Sequence, residues 1–126
     1  MTIKPPDYRG VSWYIKFTPN NIRCAYIDID SCVAFQRFPS QYWVDFVDWH
    51  APGGTTYNRC GIGENGYKDL IPEHEVVGWD YGHDVGVFFG KKKPPTIYKI
   101  EEDVKSTIDS MLNSAFNGID DRYYVK

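Results

Sequence analysis

The chain has 126 residues, enough for one domain spanning 1–126 with a sizeable core. Fourteen Lys and Arg against seventeen Asp and Glu leave a net charge of −3, which excludes broad binding to a nucleic-acid backbone. No window approaches the roughly 18 apolar residues of a membrane span, and "MTIKPPDYRG" lacks the apolar run of a signal peptide. Cys24, Cys32 and Cys60 are odd in number and form no C-x-x-C pair, so neither a disulfide framework nor a zinc knuckle is expected. A reduced, cytoplasmic setting follows. Aromatic residues make up 17% of the chain, with ten tyrosines and four tryptophans. Such rings fill a core, or they offer a pocket or interface a flat apolar face with a polar handle.

In chain order, "VSWYIKF" alternates: Val11, Trp13, Ile15 and Phe17 share one face, Ser12, Tyr14 and Lys16 the other. That is a half-buried strand. "TPNN" supplies turn chemistry, and "IRCAYIDID" returns as a second strand with Asp28 and Asp30 on the face of Ile22, Cys24 and Tyr26. "CVAFQRF" fits a strand or a short helix. "QYWVDFVDWH", rich in aromatic and β-branched residues, reads as a strand with Val44, Phe46, Asp48 and His50 on one side and Trp43, Asp45, Val47 and Trp49 on the other. With apolar residues on both faces, it is placed inside the sheet.

Gly61, Gly63 and Gly66 mark a connection running to Pro72. A strand follows over 75–81, broken by Gly82, and "VGVFFG" continues it or pairs beside it. After "KKKPP", Val104, Ile108, Met111, Leu112 and Ala115 recur at helical spacing over 101–117. Glu101, Glu102 and Asp103 suit the positive end of the dipole, and Gly118 suits the stop. The tail "DDRYYVK" forms an edge strand or is loose. The predicted fold is α+β: a mostly antiparallel sheet with one long C-terminal helix packed on one face.

Polar chemistry concentrates in two segments. In "HAPGGTTYNR", Gly53 and Gly54 permit a close backbone approach and a nest of N–H groups for an anion. Thr55, Thr56 and Tyr57 add hydroxyls, and Arg59 adds a fixed positive charge for a phosphate or carboxylate. The same stretch also makes an ordinary Pro-Gly-Gly hairpin turn. In "GWDYGHD", Asp80, His83 and Asp84, joined by His50, would hold a divalent metal. Alternatively an Asp orients a His for proton transfer, with His50, His83 and Asp80 as the catalytic candidates. A plainer role leaves Asp80 capping a turn and Asp84 solvated. Glu73, His74 and Glu75 in "PEHE" form a competing cluster, read as solvated surface ahead of a strand.

The order of these motifs resembles an uncharacterised family of small phage and bacterial proteins. That family carries a His-Gly-Gly-x-Thr-aromatic loop and then a Gly-aromatic-Asp-x-x-His stretch. The matching residues are His50, Gly53, Gly54, Thr56, Tyr57, Gly78, Trp79, Asp80, His83 and Asp84, across roughly residues 43 to 116. Ala51 and Pro52 separate the His from the glycines, and Asp84 follows His83 directly, two departures from the pattern. The resemblance implies a phage or mobile-element origin, a bacterial cytoplasm and a shared site, and brings no activity with it.

Three functions follow as expectations. The first is binding of a small phosphorylated, nucleotide-like ligand, with phosphates on the Gly53–Gly54 amides and Arg59 and a base stacked on Trp49, Tyr57, Trp79 or Tyr81. Sequestration of a host defence signal would need nothing more. The second is a metal-dependent or His-assisted hydrolase using His50, Asp80, His83 and Asp84. The third is a structural subunit or inhibitor that binds a host protein, or a second copy of itself, through exposed aromatics.

Overall fold

The computed structural model describes residues 1–19, 21–50, 74–82 and 95–117. Four strands, β1 (Thr2–Ile3), β2 (Trp13–Phe17), β3 (Arg23–Asp28) and β4 (Val76–Asp80), form one antiparallel sheet in the order β1-β2-β3-β4. Two 3₁₀ turns, Ile29–Ser31 and Val33–Arg37, lead from β3 into helix α1 (Ser40–His50). Helix α2 (Ile97–Asn117) comes last and packs on one face of the sheet, as the α+β expectation requires.

The alternation in β2 and β3 becomes a register. Trp13 lies opposite Ile27 and Ile15 opposite Ala25. These four, with Val11, Val77 and Trp79, make a first face buried against Trp43, Val44 and Val47 of α1 and Ile100, Val104, Ile108, Met111 and Ala115 of α2. Each fully buried aliphatic side chain contributes roughly 1.5–3 kcal/mol. The turn joining β2 to β3 closes with Asn21 N donating to Thr18 O (2.8 Å) and Thr18 N to Ile22 O (2.9 Å), with Asn21 at φ 64°. Asparagine tolerates that left-handed conformation better than most residues.

The sheet is buried on both sides. Tyr14, Cys24, Tyr26 and Val76 form a separate second-face cluster, and all five residues of β4 are buried. Gly78 occupies the middle of β4 because its neighbours leave no room: a Cβ there would collide with the Ala25 carbonyl oxygen and lie 2.6 Å from Tyr26 Cδ1. An aromatic ring laid across the strand takes the place of a side chain.

Two sequence expectations are corrected. Residues 41–50 are a helix, not an interior strand. Trp43, Phe46, Val47 and His50 recur at intervals of three and four, and that stripe outweighs the strand preference of single aromatic and β-branched residues. Rings hold the helix in place: Trp43 meets Phe35, Tyr42, Phe38 and Phe46 at centroid distances of 4.9, 4.8, 5.6 and 5.6 Å. Its indole N–H donates to Phe35 O at 2.8 Å. The second correction moves the start of α2 from 101 back to Ile97, with Thr96 Oγ1 accepting from Lys99 N at 3.1 Å as the N-terminal cap. Glu101, Glu102 and Asp103 therefore fall in the second turn, and act through side-chain pairs: Lys99 with Asp103 (2.9 Å) and Lys105 with Glu101 (3.1 Å). The expectations for "VGVFFG" and for the tail lie outside the described residues.

Gly78→Ala is expected to cost about 3 kcal/mol or more, because backbone oxygen cannot yield as a flexible side chain does; urea unfolding measures it. Burial also pushes the Cys24 thiol up to about 11, the nearby Asp80 charge adding to it. A folded value above the unfolded one gives stability that is intact below pH ~9 and is lost as pH rises through 11. At pH ~10.5 the wild type should have lost about 2 kcal/mol that Cys24→Ala retains, relative to the same pair at pH ~8.

Candidate functional site

Antiparallel pairing places Asp28, the last residue of β3, opposite Val76, the first of β4. Residues just after 28 must then lie beside residues just before 76. Ile29 N donates to Glu75 O at 2.9 Å, prolonging the ladder by one bond. Asp28 Oδ1 accepts from Asp30 N (2.9 Å) and so caps the first 3₁₀ turn, while Asp28 Oδ2 lies 2.7 Å from His74 Nδ1. Asp30 Oδ2 accepts from Glu75 N at 2.7 Å. Gln36, reaching back from the second turn, donates to Ile29 O (3.1 Å) and more weakly to Asp30 Oδ1 (3.4 Å).

A further layer fixes the corner from behind. Ser31 Oγ donates to Asp28 O at 2.7 Å and accepts from Ser12 N at 2.9 Å. Asp28 N donates in turn to Ser12 O. The result is a site on hydrogen-bonded backbone: one donor atom from each of Asp28, Asp30 and His74 lies within 4.8 Å of the other two. Exposure is graded across it. The Asp28 side chain is 1% exposed, that of His74 is 39% exposed, and Asp30 is open to solvent.

Burial raises the Asp28 carboxyl above the ordinary aspartate range, and the bond from His74 opposes that shift. Tyr14, on the same sheet face, is also raised, first by burial and then by the Asp28 charge. Lys4, paired with Asp7 at 2.9 Å, lies 5.8 Å from the Tyr14 ring centroid. The buried carboxylate holds this imidazole through Nδ1 and so fixes the orientation of its ring. With its Nδ1 proton in place the imidazole is oriented by the carboxylate; a metal ion in place of that proton would have both groups as ligands.

The residues favoured by the sequence do not form this corner. His50 ends α1, exposed, with its ring stacked on Phe46 at 4.2 Å. Asp80 lies across from Cys24 on the second face, whereas α1 packs on the first, so His50 and Asp80 belong to opposite faces of the sheet. Asp80 takes the plainer of its two expected roles and caps a turn, with Gly82 N donating to its Oδ1 at 2.9 Å. Trp79 cannot stack on a base: its ring is fully buried in the core. Tyr81 is half-buried and donates its hydroxyl to Asp103 at 2.9 Å. Trp49 is 86% exposed at the end of α1. Gly53, Gly54, Thr55, Thr56, Tyr57, Arg59, His83 and Asp84 lie outside the described residues.

"PEHE", set down as solvated surface, instead supplies His74 and the Glu75 backbone to the corner, because strand pairing carries them onto Asp28 and Asp30. The available signal was two short acidic or His-bearing motifs at the end of one strand and the start of another. Comparisons with protein-family models, curated proteins and solved structures find no match to this chain.

The bond to a buried carboxylate fixes a tautomer that can be observed. Nitrogen-15 NMR at neutral pH should find His74 protonated on Nδ1, and Asp28→Asn, which offers an amide N–H in place of the acceptor, should move the proton to Nε2. Finding the Nε2–H form in the wild type would make Asp28 the proton donor of the pair.

Proposed function

We propose that this protein binds a divalent transition-metal ion at Asp28, Asp30 and His74, and that the ion takes an oxygen of a phosphorylated or carboxylate ligand. The carrying observation is the convergence, within 4.8 Å, of two carboxylates and an imidazole from segments 44 residues apart in sequence (74 minus 30). Two carboxylate oxygens and one nitrogen suit Zn²⁺ or Mn²⁺ better than Mg²⁺, which favours oxygen and retained water. Three protein ligands leave open positions on such an ion. The phosphorylated ligand expected from the sequence is retained, with an anchor at the Asp–His corner; the glycine loop expected to hold it lies outside the described residues.

Hydrolysis is the reaction class this corner favours, since a bound ion would supply water of lowered pKa and polarise a ligand oxygen. The protein's part is to hold the backbone of Asp28 and Ile29 through Ser31 and Gln36, the Asp30 carboxylate through the Glu75 amide and the imidazole through Asp28. Protons compete with the metal for the same donors, so affinity should rise with pH through the range in which imidazoles titrate.

Titration calorimetry with Mn²⁺, Zn²⁺ and Mg²⁺ tests the proposal. One saturable site is expected, tighter for Mn²⁺ and Zn²⁺ than for Mg²⁺, and weakened at least about tenfold in Asp30→Asn and in His74→Gln. Absence of binding at about 1 mM metal, or binding unaffected by both substitutions, would overturn it.

A further inference from the structure

Arg23 opens β3 opposite Phe17, and its guanidinium carbon lies 5.3 Å from the Phe17 ring centroid. Strand alternation sends its side chain to the same face as Ala25 and Ile27, beneath the helices. The residue retains some accessible surface, yet Nε and Nη1 are closed to solvent and have no hydrogen-bond partner. Other described cations are answered. Lys4, Arg9, Lys99 and Lys105 each reach a carboxylate, and Arg37 reaches the Ala115 carbonyl.

A second donor lies nearby. Tyr81 N bonds to Arg23 O, and Trp79 sits opposite Ala25, so Arg23 and Trp79 are diagonal neighbours on adjacent strands. That places their Cβ atoms within roughly 7–8 Å, in reach of long side chains. Trp79 Nε1 is also buried, and the Tyr81 hydroxyl beside it gives its proton to Asp103. Asp103 is occupied further by Lys99. The Tyr81 oxygen keeps a lone pair facing Trp79 Nε1, whereas among the described residues no acceptor meets Arg23 Nε or Nη1.

A charged group removed from water needs a counter-charge and hydrogen bonds, or it costs several kcal/mol. Guanidinium N–H groups in a planar fork match a carboxylate or phosphate. We infer that Arg23 forms a binding site for a small oxyanion at the end of the sheet, separate from the Asp28–His74 corner. The cation–π contact with Phe17 holds the guanidinium plane ready; the oxyanion supplies the missing acceptors.

The test is thermal unfolding against inorganic phosphate and, in a second series, acetate, at ionic strength held constant with sodium chloride. Wild type should show a saturating rise of about 3 °C or more by roughly 10 mM of at least one anion. General salting effects grow without saturating, so they separate from site binding. Arg23→Met should abolish the saturating rise, and in anion-free buffer it should melt no lower than wild type, because it removes an unpaired charge. Arg23→Lys, which keeps charge and loses the fork, should weaken the rise. Parallel curves for wild type and Arg23→Met overturn the inference. So does Arg23→Met that fails to fold or melts several degrees lower without anion, since the protein alone would then be satisfying the guanidinium.

Discussion

A four-stranded sheet buried on both faces is the constraint from which the rest of this structure follows. Side chains alternate across a strand, so a sheet with one wet face tolerates any polar residue at every second position. Here β4 has no wet face, and all five of its residues are buried. Each position must be apolar, or absent as at Gly78, or hydrogen-bonded as at Asp80. Sliding the pairing of β3 and β4 by one residue would send Trp79 and Asp80 to each other's faces, so the register is strongly specified.

That register makes the Asp–His corner. With Asp28 opposite Val76, the chain must bring residues 74 and 75 alongside 29 and 30. The polar groups there answer one another through Asp28, Asp30, Glu75 and Gln36. Asp28 is retained inside because its oxygens have partners; unpaired, a buried carboxylate would neutralise or destabilise the fold. The pairing of β3 and β4 brings the site together, with Asp30 in the 3₁₀ turn after β3 and His74 just ahead of β4.

What the sequence made readable was whatever repeats locally. Val11, Trp13 and Ile15 announce β2 by period two, and Val104, Ile108, Met111 and Ala115 announce α2 by period three to four. Helix α1 escaped because, over ten residues, "QYWVDFVDWH" satisfies both periods, and its aromatic and β-branched residues lean toward strand. What decided the matter was a tertiary effect, the packing of Trp43 among Phe35, Phe38, Tyr42 and Phe46. The site escaped for a related reason. Asp28 and Asp30 read as one strand face, whereas β3 ends at Asp28 and Asp30 lies in the 3₁₀ turn beyond it; their meeting with His74 depends on which strands become neighbours, and no local pattern encodes that. Attention to residues that share a short segment, such as Asp80 with His83, favours proximity in sequence over proximity in space.

The four tryptophans divide unevenly. Trp13, Trp43 and Trp79 are sealed in the core, while Trp49 stands in solvent at the end of α1. The molecule therefore carries two intrinsic optical channels. Collisional quenchers such as acrylamide reach one indole and leave three bright, so the accessible fraction of the emission reports the end of α1. The shielded, blue-shifted fraction reports the integrity of the sheet and its helices. Loosening of that helix end and collapse of the whole fold would appear as separate signals in one unlabelled sample.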